Sequence, residues 1–180
     1  MAGGLAPPAR NWVMGFAAKR PRSLRARAFA LLARREFSRA ELRRRLAPFS
    51  ENPAEVEQLL DEFVAAGHLS EQRFADSTVR RRGERYGAAR VVRELQSHHL
   101  PADVLANACG QLRQTELRRA HALWSKRFAA RPASLAERAR QSRFLAARGF
   151  SGDTIRLVLG GHVEIDEVTD VASAESPDEV

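Results

Sequence analysis

One short segment returns along the chain. Pro53-Ala54-Glu55-Val56 recurs 48 residues later as Pro101-Ala102-Asp103-Val104, and 50 residues after that, more weakly, as Ser151-Gly152-Asp153-Thr154. Leu46, Leu95 and Leu145 precede these starts by seven, six and six residues. A chain that repeats at this period builds one supersecondary unit several times and stacks the copies. Each recurrence reads as a helix start, with Pro or Ser at the entry and an acid in the first turn. Three helices of ordinary length with short loops fill such a period.

Helical patterning supports that reading. Val56, Leu59, Leu60, Phe63 and Val64 form one apolar stripe at i, i+3, i+4, i+7 and i+8. Asn52 is placed to cap this helix, Pro53 to open it and Gly67 to end it. Ser38-Arg39-Ala40-Glu41 and Ser134-Leu135-Ala136-Glu137 read as capping boxes. Ser70 is placed to cap a helix to about Arg85, and Ser151 another to about Leu159. No window alternates like a strand. The expected fold is all-α, with tandem three-helix repeats at 24–69, 70–111 and 112–162 in an elongated, curved array. A disordered basic lead-in is expected at 1–23 and a flexible acidic tail at 163–180.

Composition limits the function. No stretch approaches 18 uncharged apolar residues, so neither a membrane span nor a membrane partner is expected. No signal-peptide core is present, which makes the cytoplasm the expected compartment. A single cysteine, Cys109, leaves no disulfide framework; beside Val104, Leu105 and Ala108 it reads as a buried structural thiol. His98 and His99 point about 100° apart on a helix and cannot share a metal, so the histidines read as surface or packing residues. No phosphate-binding glycine loop occurs. Neither an enzyme activity nor a cofactor is expected.

The charge is lopsided. Residues 163–180 carry seven acids and no base, so residues 1–162 hold all 30 bases against the remaining 15 acids, a net of +15. Arg outnumbers Lys 28 to 2. Genome composition can exchange Lys for Arg, but it does not double the bases over the acids. A polyanion or an acidic protein surface is the expected target. The bases cluster on first and second helices: Arg34, Arg35, Arg39, Arg43, Arg44 and Arg45, then Arg80, Arg81, Arg82, Arg85, Arg90 and Arg93. Segment 51–67 carries five acids and no base. A stand-alone helix-turn-helix transcription regulator, reading DNA with that helix, is the alternative this pattern argues against.

Three motifs in order resemble the RecX family. They are the run from Ala28 to Arg45 followed by Gly67-His68-Leu69-Ser70 through Ala75, then Tyr86-Gly87-Ala88-Ala89-Arg90 through Leu95, then Arg143-Phe144-Leu145 through Ser151, running to Ile155 and Leu159. One departure falls at His98-His99-Leu100, where that family usually carries a basic residue and Gly before the apolar residue. The resemblance implies a regulator of recombination, DNA repair and the SOS response. Such a protein lies in the groove of the RecA–DNA filament and restrains filament growth, ATP hydrolysis and strand exchange. It implies RecA and non-specific single- and double-stranded DNA as partners, a monomeric chain, and no catalytic residues. The RecA- or DNA-contacting candidates are Arg34, Arg35, Arg39, Arg43, Arg44, Arg80, Arg81, Arg82, Arg85, Arg90 and Arg93.

Overall fold

The structure is a computed structural model, and it describes residues 23–128 and 130–160. The expected acidic tail and all but the last residue of the expected lead-in lie outside the described residues. Within them the chain forms eight α-helices and no strand. In order these are α1 (Leu24–Leu32), α2 (Arg39–Leu46), α3 (Pro53–Ala65), α4 (Glu71–Gly83), α5 (Ala88–Gln96), α6 (Ala102–Ser125), α7 (Leu135–Ala146) and α8 (Gly152–Gly160). The three recurring segments begin α3, α6 and α8.

Local chemistry sets the helix starts. The Ser38 and Ser134 hydroxyls accept from the Glu41 and Glu137 N–H groups at 3.1 and 3.2 Å. Asn52 Oδ1 accepts from Ala54 N–H at 3.0 Å, and the Ser70 hydroxyl from Arg73 N–H at 3.2 Å. Each cap satisfies a backbone donor that the first helical turn leaves free. The turns after α3 and α7 close on Gly67 (φ 71°) and Gly149 (φ 84°), in the left-handed region where glycine carries no Cβ penalty. At the corresponding turn after α5 the residue is His99, with φ 55°. This is the place where the sequence departs from the resembled family, and the turn is made there despite the strain of an L-residue.

Each unit has its own apolar core. The first gathers Phe37, Leu42, Leu46, Leu60, Phe63 and Leu69. The second gathers Phe74, Val91, Leu95, Leu100, Val104 and Leu112. The third gathers Trp124, Leu145, Phe150, Ile155, Val158 and Leu159. Leu46, Leu95 and Leu145, the leucines that precede the three recurring segments, are all fully buried.

Two expectations change at α6. The helix expected at 101–110 continues unbroken to Ser125, so the 111/112 junction falls inside a helix. Gly110 weakens a helix by about 1 kcal/mol but does not stop one, and no cap or proline follows it. The buried residues of α6 are Val104, Ala108, Leu112, Glu116, Ala120 and Trp124, an unbroken i, i+4 row. Each such step advances about 40° around the helix, so the row turns through about 200° from end to end. Val104 to Leu112 therefore face the second core, and Ala120 and Trp124 face the third from the other side. Cys109 sits beside this row and is half-buried, whereas its apolar neighbours in sequence predict full burial.

Units two and three are locked together at close range. Gly87 N–H donates to Arg148 O at 2.9 Å, and a Cβ on Gly87 would lie 2.2 Å from Gly149 O. Glu116, at the middle of the buried row, accepts from Ala88 N–H (3.2 Å), Ser151 Oγ (3.1 Å) and Thr154 Oγ1 (3.2 Å). One carboxylate thus serves the N-termini of α5 and α8, where the helix dipoles favour it. The first unit meets the second through polar contacts. Arg73 pairs with Glu36 at 2.9 Å, Arg39 N–H donates to Glu71 at 3.0 Å, and Ser38 Oγ bonds His98 Nδ1 at 3.0 Å.

Candidate nucleic-acid interface

The arginines divide by what they touch. Arg35 lies in the turn after α1, not on the helix, and forks onto Glu41 at 3.0 and 2.5 Å. Its guanidinium also stacks 3.8 Å from the centre of the Phe37 ring. That hydrogen-bonded guanidinium holds the Glu41 carboxyl below the usual range, against the effect of burial. Arg39 pairs with Glu57 at 2.9 Å and Asp61 at 2.7 Å, and Arg43 also pairs with Glu57. Arg43 and then Arg39 lower the Glu57 pKa. Glu57 and Asp61 of α3 thus engage arginines of α2, and Glu62 engages Arg25 of α1, so α3 presents no cation to a major groove. Arg34, also in the turn after α1, borders a separate cleft of about 410 Å³ with Arg27, Arg45 and Phe49. Arg44 on α2 and Arg80 on α4 are exposed.

The remaining candidates converge. A cleft of about 460 Å³ lies between units one and two, bordered by Arg35, Arg81, Arg82, Glu94 and His98. Glu94 also borders a second cleft, of about 540 Å³, with Arg90, Arg93 and Gly149. Arg90 and Ala147 continue into a third, of about 460 Å³, with Arg85, Tyr86 and Arg148. The three form one furrow along the end of α4, along α5 and over the α7–α8 turn. Arg82 is tied to Glu94 at 3.0 Å. Among the described residues, Arg81, Arg85, Arg90 and Arg93 form no ion pair, and the side chains of Arg81, Arg85 and Arg93 have no hydrogen-bond or ring partner either. Arg90 stacks 4.2 Å from the centre of the Tyr86 ring, which fixes a cation and an aromatic face side by side. Exposed cations without internal acids are the groups that meet phosphates at little desolvation cost.

Two arginines have roles that the sequence does not reveal, and one histidine packs as the sequence suggests. Arg148 borders the furrow, stacked 3.7 Å from the centre of the Phe144 ring with Nη1 on Phe144 O at 3.0 Å. It falls within the third of the family-like motifs, but nothing in that motif places its charge. Arg119 donates to the carbonyls of Gly83 (2.7 Å), Tyr86 (2.8 Å) and Leu112 (2.8 Å). It closes the C-terminal end of α4, and burial lowers its pKa. His98 packs 4.7 Å from the Phe74 ring between units one and two, and burial pushes its pKa down. Among the described residues no His, Cys, Asp and Glu group is arranged to hold a metal ion. No described helix is long and apolar enough to cross a membrane.

Residues 114–159 match the family described as RecX, third three-helix domain. That match begins inside α6, in the half of the helix that faces the third core. The chain is 53% identical over 144 residues to the Regulatory protein RecX of Leptothrix cholodnii, covering 79% of this chain and 92% of that one. It is 49% identical over 150 residues to the Regulatory protein RecX of Ralstonia nicotianae, covering 83% and 94%. The crystal structure of RecX from Lactobacillus salivarius superposes with a TM-score of 0.66 at 15% identity, covering 76% of this chain and 92% of that one. At that identity the likeness speaks for the fold.

Proposed function

Because the chain belongs to the RecX family of regulatory proteins, we propose that it binds the RecA–DNA filament and restrains filament growth, ATP hydrolysis and strand exchange. The furrow supports this reading. Most of its arginines come from units two and three, which share α6 and so hold them in one array, and Arg35 of unit one borders its near end. A rigid row of planar guanidiniums suits the regular phosphates and acidic edges of a nucleoprotein filament, and it suits single- and double-stranded DNA without base selection. Removing one phosphate-binding arginine lowers the log–log salt slope of DNA binding by about 0.7–0.9. The direct test is RecA-catalysed ATP hydrolysis on single-stranded DNA with substoichiometric amounts of this protein. The expected result is a fall in rate that grows with concentration. An unchanged rate at equimolar protein overturns the proposal.

A further inference from the structure

We propose that the acidic segment 164–170 of this chain docks in its own arginine furrow and competes there with polyanions. This rests on the furrow being the polyanion surface. Glu164, Asp166, Glu167 and Asp170 follow closely on the last described helix, and the sequence from 163 to the end contains no base. The furrow supplies the opposite charge, with Arg81, Arg85, Arg90 and Arg93 all without an acid partner among the described residues.

Position allows the contact. Helix α8 begins at Gly152, three residues after Gly149, which borders the furrow. The helix carries the chain only about 12–14 Å from there to Gly160. The stretch from 161 to 170 spans up to about 33 Å when extended, enough to return over that distance. A tethered segment acts at an effective concentration of about a millimolar, so even weak charge pairing occupies the site. The pairing is electrostatic and lies at the surface, so it fades as the Debye length shrinks from about 30 Å at 0.01 M salt to about 8 Å at 0.15 M.

Two measurements on the full chain test the docking. The first compares wild type with a tail-neutral variant carrying Glu164→Gln, Asp166→Asn, Glu167→Gln and Asp170→Asn, using a labelled oligothymidylate and fluorescence anisotropy. The variant is expected to bind about three-fold tighter or more at 0.01–0.02 M salt, and the two proteins to converge near 0.15 M. The second needs no DNA. A labelled peptide of residues 161–180 is expected to bind the tail-neutral variant at low salt, and to lose binding when Arg81→Glu and Arg93→Glu are added. Peptide binding that the arginine substitutions abolish, with oligothymidylate binding unmoved by them, upholds the docking and removes the furrow as the nucleic-acid site. Absence of peptide binding, or binding that ignores the furrow substitutions, overturns the docking.

Discussion

Gly87→Ala is expected to separate units two and three. The substitution is conformationally free, because Gly87 has φ −71° and ψ 168°, values open to any residue. Its cost is steric. The new Cβ would lie 2.2 Å from Gly149 O and 2.3 Å from Phe150 N, and both are backbone atoms. No side-chain rotation relieves that clash; the two turns must part by more than 1 Å to reach ordinary separation. Overpacking of this kind costs about 1–3 kcal/mol. Parting the turns also stretches the Gly87 N–H to Arg148 O bond, now 2.9 Å, which adds about 1 kcal/mol. For a chain of this size the sum of about 2–4 kcal/mol lowers Tm by roughly 4–16 °C. Gly110→Ala is the control: nothing lies within 4 Å of its Cβ, and it sits inside α6. It is expected to raise stability by about 0.5–1 kcal/mol. Far-UV circular dichroism melts read both. A Gly87→Ala protein that melts within about 1 °C of wild type would refute the packing of the two turns.

Three further changes have definite signs. His99→Gly relieves a left-handed L-residue at φ 55° and is expected to stabilise by about 0.5–1 kcal/mol; a lower Tm contradicts it. Burial raises the Glu71 carboxyl above its ordinary range, so its favourable contribution is present below the unfolded-state carboxylate pKa and is lost as pH rises through the raised value. Glu71→Gln keeps an acceptor for the Arg39 N–H and is expected to melt like wild type below about pH 4 and higher at pH 7; the same Tm difference at both pH values refutes the cause. Gln141→Leu leaves the buried Trp124 indole N–H, now 2.7 Å from Gln141 Oε1, without an acceptor, at a cost of about 1–3 kcal/mol. Denaturant unfolding followed by far-UV circular dichroism measures it, and an unchanged midpoint contradicts it.

Local chemistry made much of the fold legible. Ser38, Asn52, Ser70 and Ser134 mark helix starts because a cap needs only the next few residues. The repeat was legible because equivalent helices meet equivalent cores. The continuity of α6 was not, because a shared helix carries no stop signal and its i, i+4 row gains meaning only with a core on each side. Cys109 was misplaced for the same reason: the apolar neighbours around it belong to a row that passes beside it. The site was legible as a residue type, arginine, but not as a surface. Arg39 and Arg43 look like Arg81 and Arg93 in sequence; their difference lies in Glu57 and Asp61, which reach them from another helix. Arg148 joins the furrow because the α7–α8 turn closes against Gly87.

If the furrow of units two and three carries the action on RecA, its arginines must be needed for it. The most direct test is the RecA ATPase on single-stranded DNA, titrated with wild type and with an Arg81→Glu, Arg93→Glu protein. Both side chains are exposed and free of ion pairs among the described residues, so the variant is expected to melt like wild type. Wild type is expected to slow hydrolysis at substoichiometric concentration, and the variant to leave the rate near that of RecA alone. A folded variant that slows RecA with the wild-type concentration dependence would contradict this role of the furrow.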